Sequence, residues 1–215
     1  MNKTLLFSLT LAAVFTPALT AQKWEFGGGA GGGFYTSQDI TGAPVPGSAK
    51  IAPGMSAGAW LGNNLGRTWG GELRYDYQSG DLRVSSQSTT ASFASRTHGI
   101  HYDFLVHMAS RNARMRPFVA FGGGVKLYQG TGTEVVAQPL NSLALLTKTS
   151  ETRGLASVGA GIKINGRRLG FRAEVHDYMT PFPNNVIAAA PNASIGGWVH
   201  DFVVDFGLSL LFGAE

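Results

Sequence analysis

The chain contains no cysteine, which excludes a disulfide scaffold, a cysteine-ligated zinc site and a thiol nucleophile. Charge is scarce as well. Asp, Glu, Lys and Arg make up 14% of the 215 residues, against about 25% in an ordinary soluble domain. The 17 Lys+Arg exceed the 13 Asp+Glu by only four, so the clustered basic surface of a nucleic-acid binder is not expected. Past the N-terminus, no window supplies the ~20 continuous apolar residues that a membrane helix requires. What the chain does have is glycine: 30 residues, about twice the usual ~7% share. The length allows one domain or at most two.

The first segment reads as an export signal. Lys3 gives a positive start, an apolar core runs from Leu5 to Phe15, Pro17 breaks it, and Ala18-Leu19-Thr20-Ala21 offers small residues before Gln22. That is the three-part plan of a secretory signal peptide over 1–21, too short in its core to span a bilayer as a helix. Residues 22–215 then form a single domain.

Eight segments of that domain alternate large apolar side chains with small or polar ones, the period of a strand with two unlike faces. They lie near 24–35, 53–62, 69–81, 97–108, 116–128, 153–164, 170–178 and 198–212. Each is close to the ~9–11 residues of a tilted membrane strand. Helical spacing shows only faintly, from Pro139 to Leu146. The connections hold 17, 6, 15, 7, 24, 5 and 19 residues in turn, strictly long then short. Outer-membrane barrels have this arrangement, with short turns on the periplasmic side and long loops outside. The predicted fold is therefore all-β, an eight-stranded antiparallel up-and-down transmembrane β-barrel.

Strand faces indicate which side meets lipid. In the last strand Phe202, Val204, Phe206, Leu208, Leu210 and Phe212 share one phase, opposite Asp201, Asp205, Gly207 and Ser209. The fifth and sixth strands likewise set Val119, Phe121, Val125 and Val158, Ala160, Ile162 against rows of glycine. Apolar residues facing lipid and glycines lining a narrow interior satisfy both faces. The second strand is ambiguous, because Met55, Ala57, Ala59 and Leu61 suggest one phase and Trp60 the other. Aromatic belts are expected at both rims: Trp24, Phe26, Trp69, Phe171 and Phe212 at the short turns, and Phe34, Tyr35, Tyr77, Tyr128, Tyr178 and Trp198 at the long loops.

Three charge clusters fall in the inward phase: Glu72, Arg74 and Asp76; His101, Asp103 and His107; and Arg172, Glu174 and His176, beside Asp205. With both signs inside a water-poor lumen, ion pairs are the expected outcome, since an unpaired buried charge is costly. A metal site is not expected: His98 and His101 point to opposite faces, and His101 and His107 stand roughly 20 Å apart. No cofactor is expected either. The run Gly27-Gly28-Gly29-Ala30-Gly31-Gly32-Gly33 lacks the Lys-Ser/Thr and the helix of a phosphate loop, and reads instead as room for bulky interior neighbours such as Trp60. The turn arginines Arg67, Arg111, Arg114, Arg167 and Arg168 meet anionic phospholipid headgroups or only solvent.

The final stretch Asp205-Phe206-Gly207-Leu208-Ser209-Leu210-Leu211-Phe212 resembles the C-terminal assembly signal of bacterial outer-membrane barrels, with Asp205, Gly207, Leu210 and Phe212 at its four specified positions. Gly213-Ala214-Glu215 continue past the aromatic, where many members end. The mature chain resembles the eight-stranded outer-membrane barrel domain of the outer-membrane protein A and X type. That resemblance implies the outer membrane of a Gram-negative cell, with its lipids, its lipopolysaccharide and the barrel-assembly machinery as partners. It says little about activity, because the family hosts adhesins, anchors and enzymes. The expected function is a structural or surface-interaction role through the long extracellular loops, which would meet any extracellular partner. The alternatives are an outer-leaflet lipid-modifying enzyme and a narrow pore. Lipid A deacylases place their nucleophile two residues after a histidine; here those positions hold Ile100, Asp103, Ala109, Tyr178 and Phe202, so no catalytic residue is assigned. The loops carry an unusual apolar set: Val135, Val136, Leu140, Leu143, Leu145, Leu146, Phe182, Val186 and Ile187. It either packs as a cap over the barrel mouth or presents a contact patch. The cap is favoured because it needs no partner.

Overall fold

The computed structural model describes residues 23–111, 113–132 and 138–213. The signal-peptide segment 1–21 and loop residues Val135 and Val136 lie outside them. No helix occurs among the described residues. Thirteen strands are numbered here in chain order. Eight long ones form the wall: β1 (Lys23–Tyr35), β4 (Gly54–Asn64), β5 (Trp69–Ser86), β6 (Thr89–His107), β7 (Met115–Gly130), β9 (Ser150–Asn165), β10 (Leu169–Pro181) and β13 (Trp198–Phe212). Each pairs antiparallel with the next, and β1 pairs with β13, from Trp24 opposite Phe212 to Tyr35 opposite Asp201, which closes the ring. Closure leaves the wall no free edge.

The faces follow the alternation. Phe202, Phe206, Leu208, Leu210, Val119, Phe121, Val158 and Val175 point outward and are exposed on the isolated chain, as lipid-facing residues are. The ambiguous second strand resolves without conflict. Met55, Ala57 and Leu61 face outward and Trp60 faces inward, 2% exposed. Trp60 fits because of glycine. A Cβ on Gly27 would stand 2.5–2.6 Å from its indole ring, and a Cβ on Gly207 would run into the Cη2 edge of that ring and lie 2.8 Å from the Gly28 carbonyl. Three of the predicted belt aromatics behave differently. Tyr35, Tyr128 and Tyr178 take the inward phase, Tyr128 and Tyr178 being fully buried. Their hydroxyls find partners inside, at Gln78, Thr180 and Asp76, and that outweighs a place at the rim.

The long-loop end departs most from expectation. Segment 82–96 is no loop. β5 and β6 stay in register from Trp69 opposite Val106 to Ser86 opposite Thr89, and only Gln87 and Ser88 turn, Gln87 at φ 50°. The Ser/Thr composition looks loop-like, yet Leu82, Val84 and Phe93 supply a buried face at period two, and β-branched threonine suits a strand. Segment 36–52 is a hairpin as well, β2 (Gln38–Thr41) and β3 (Gly47–Ile51), with β3 pairing onto the extended β5. Short strands β8 (Ala144–Leu146) and β11 (Ile187–Ala189) pair with each other, and β12 (Ser194–Ile195) pairs with β2. Residues 139–143 form a turn rather than a helix.

These segments enclose an apolar core of their own. Ile40, Ala49, Ile51, Leu82, Val84, Phe93, Leu140, Leu143, Leu146, Phe182, Val186, Ile187 and Ile195 are buried together, against Tyr128 and Val199 of the wall. The long connections therefore cap the barrel mouth. Of the apolar loop set, only Leu145 is exposed among the described residues.

Candidate functional site: the charged barrel interior

Alternation aims one residue in two at the lumen, and polar side chains occupy most of its length. All ten interior residues expected from the sequence (Glu72, Arg74, Asp76, His101, Asp103, His107, Arg172, Glu174, His176 and Asp205) lie on the inward face and are buried. The centre is a lattice built from β5, β6 and β10. Arg172 donates to both oxygens of Glu72, at 2.7 and 3.0 Å, and its Nε lies 2.7 Å from Glu174 Oε2. Arg74 donates to Glu174 at 2.7 Å and to Glu72 at 3.0 Å, with Asp76 at 3.6 Å. Both guanidinium planes lie against Trp60, 4.8 Å away for Arg172 and 5.4 Å for Arg74. Two facing arginines are tolerated because carboxylates separate them and an aromatic face receives them.

The histidines bridge carboxylates. His101 lies 2.8 Å from Asp76 through Nε2 and 3.1 Å from Asp103 through Nδ1. Donation through both nitrogens suits the doubly protonated ring. His176 lies 3.3 Å from Glu174 and 3.9 Å from Asp103. Two expected members stand apart. Asp205 meets a hydroxyl instead of a cation, receiving Ser56 at 2.5 Å. His107 sits 5.9 Å from the Phe118 ring, with neither ring nitrogen hydrogen-bonded among the described residues; it faces the lumen at the short-turn end, past the reach of the central carboxylates.

Five further charges complete the interior. Near the short turns, Lys163 donates to Glu25 at 2.7 Å. Glu25 also accepts from Ser209 at 2.7 Å and from the Trp60 indole at 3.2 Å, while Arg116 donates to Asn64 at 2.9 Å. Near the cap, Lys126 pairs with Asp201 and lies over the ring of Tyr35 at 4.8 Å. Single charges on otherwise apolar or glycine-rich strands carry little weight in a sequence. Their inward parity was the signal that marks them. Ser157 lies 3.4 Å from His176 Nδ1 and donates to Asp103 at 3.3 Å. This serine–histidine pair is fully buried inside the wall.

Among the described residues the lumen thus holds seven carboxylates (Glu25, Glu72, Asp76, Asp103, Glu174, Asp201 and Asp205) and five cations (Arg74, Arg116, Lys126, Lys163 and Arg172), with two histidines set between carboxylates. Such a lattice fills the space that eight strands leave.

A barrel of eight antiparallel strands, apolar outside and ionic within, has a counterpart at the level of sequence. The pattern of the outer membrane protein beta-barrel domain matches residues 6–181. The chain belongs to this family. Its place is accordingly the outer membrane. No match emerges among curated proteins. Among solved structures the chain is similar to neisserial surface protein A, with a TM-score of 0.53 at 8% identity over 87% of this chain and 96% of that one. The N-terminal β-barrel domain of Pseudomonas aeruginosa OprF gives 0.47 at 12% identity, covering 90% and 98%. Ail of Yersinia pestis gives 0.48 at 9% identity, covering 89% and 99%. At 8% identity, the likeness to neisserial surface protein A speaks to the shared fold alone.

Proposed function

We propose that this outer-membrane barrel is a sealed scaffold that holds a folded cap at the cell surface as a binding face. The observation that carries the reading is the apolar core enclosed by the long connections. It fixes the exposed side of those segments in one arrangement, as a recognition surface on a rigid support requires. The ionic lattice beneath the cap argues against a pore. Lipopolysaccharide surrounds the cap in this orientation, and the short turns face the periplasm. The outward, exposed Leu210 and Phe212 of β13, with Asp205 and Gly207, suit the seam where assembly machinery would read the strand. Shortening 131–149 and 182–197 to tight turns tests the proposal. The expected outcome is an inserted barrel that keeps its heat-dependent gel mobility, while cell-surface adhesion is lost. Adhesion that survives in full sinks the reading.

One feature favours a second reading, outer-leaflet lipid chemistry. Asp177 and His200 face outward from β10 and β13, and His200 Nδ1 lies 2.8 Å from Asp177 Oδ2. A carboxylate on the lipid-facing wall is costly. The pairing leaves Nε2 as a base that would take a proton from water attacking a lipid ester. Mass spectrometry of membrane lipids from cells with the wild-type chain, the Asp177→Asn chain and no chain decides it. Loss of an acyl chain only with the wild type is expected; identical lipids in all three contradict it.

A further inference from the structure

The charges of this protein are partitioned by place. Among the described residues, the interior holds twelve of them. At the long-loop end the surface mixes signs, Lys50, Arg83, Arg96 and Arg153 against Asp39, Asp81, Glu151 and Asp177. Arg153 and Glu151 pair at 2.5 Å, and Arg83 lies 3.7 Å from Asp81. Among the described residues, the exposed charges of the short-turn end are cations only. Arg67, Arg114, Arg167 and Arg168 are exposed on the three turns, with Arg111 half-buried beside them, and no carboxylate shares that surface among the described residues.

The three turns form one continuous arc. The His107 amide donates to the Thr68 carbonyl at 2.7 Å, joining the first turn to the second. The Asn165 amide donates to the Arg114 carbonyl at 2.7 Å, joining the second to the third. Beside these arginines lie exposed Leu65 and Met108 on the turns and Trp69, Met115 and Leu169 at the adjoining strand ends. An apolar rim followed at once by guanidinium groups matches the order of a bilayer edge, acyl chain first and phosphate next. Arginine suits the second layer, because its planar fork pairs with phosphate oxygens and gives up its hydration readily.

We infer that the short-turn arc is a docking collar for anionic phospholipid headgroups, formed by Arg67, Arg114, Arg167 and Arg168 beneath the apolar rim. The inference is independent of what the cap binds and rests only on the barrel lying in a membrane. Four cations with no neighbouring carboxylate among the described residues give the collar a selectivity for charged lipid over zwitterionic lipid, whereas the mixed long-loop end gives none. A soluble polyanion would meet the same charges but would leave the apolar rim unexplained.

The test uses tryptophan quenching in vesicles. The full chain carrying Trp198→Phe leaves Trp24 and Trp69 as outward reporters near the short turns. It is folded into phosphatidylcholine vesicles containing either brominated phosphatidylglycerol or brominated phosphatidylcholine. At low ionic strength, phosphatidylglycerol is expected to be preferred by about fivefold, with the preference collapsing in about 1 M salt. Replacing the four arginines by glutamine is expected to abolish it, and replacing them by lysine to retain most of it. If Trp198→Phe does not fold, native mass spectrometry of the otherwise unaltered chain, counting retained phosphatidylglycerol, replaces the quenching. Equal affinity for the two lipids, or a preference that survives the glutamine variant, overturns the collar. So does binding of a soluble polyanion such as heparin at the arc without any lipid preference.

Discussion

Replacing Arg172 by alanine is expected to destabilise the inserted barrel by about 3–5 kcal/mol, the range for orphaning a buried charge partner. Arg172 is 1% exposed and engages Glu72 through two nitrogens and Glu174 through a third. Without it, Glu72 and Glu174 are left to Arg74, which also serves Asp76, and Glu72 to the more distant Lys163 at 4.0 Å. Water cannot replace the lost cation at the centre of a packed lumen, so the cost is that of a charge left in low dielectric. The lattice also transmits the loss, since His176 and Asp103 lean on the same carboxylate set. Urea unfolding of the vesicle-inserted protein measures it. Replacing Glu72 by glutamine in the same chain is expected to recover part of the stability, because it removes the orphaned charge. A loss below about 1 kcal/mol, the value of an exposed pair, would mean that water reaches the lattice.

Gly27→Leu is expected to cost at least about 1–3 kcal/mol, the ordinary penalty for overpacking, and to prevent insertion if the wall cannot yield. The Cβ alone would sit 2.5 Å from the Trp60 ring. Trp60 is held where it is, because Gly207 lies against its Cη2 edge and its indole nitrogen donates to Glu25 and Ser209. Trp60→Ala alone is expected to cost about 3–5 kcal/mol through its cavity. Combined with Gly27→Leu it should cost less than the two single changes added, since the new side chain fills the space. Heat-dependent gel mobility and urea midpoints of the two single variants and the pair supply the comparison. Strict additivity would contradict the claim that these residues share one space. Gly207 is caught in the same packing, where it makes room for the ring.

Much of the wall can be read directly from residue alternation, because a lipid outside and a narrow lumen inside impose opposite requirements on successive residues. Phe202 to Phe212 in β13 show this plainly, and so does the glycine row facing Val119 and Phe121 in β7. The three inward clusters were visible because each repeats a charge at i, i+2 and beyond on one strand. The pairs that complete the lattice were not. Glu25 and Lys163 are 138 residues apart and Lys126 and Asp201 are 75 apart; only closure of the ring sets them opposite each other. Tyr35, Tyr128 and Tyr178 misled for a related reason. A tyrosine near a strand end serves a rim or a lumen equally well, and hydrogen-bond partners on other strands decide which. The extension of β5 and β6 was hidden by composition, since serine and threonine fill both loops and the outer faces of hairpins. The apolar loop residues did carry their own message, because Leu140, Leu143, Phe182, Val186 and Ile187 have no reason to be there unless something buries them.

The central claim is that the long connections form a fixed cap over a sealed barrel. Amide hydrogen exchange of the inserted protein, followed by mass spectrometry on peptides from 138–147, 182–199 and 82–96, tests it most directly. Slow exchange is predicted at Leu143, Ala144, Leu146 and Val186, comparable to the strands beneath, because their surroundings are buried and hydrogen-bonded. Complete exchange of these three segments within seconds, while the wall stays protected, would contradict the account and leave an open barrel with unstructured loops.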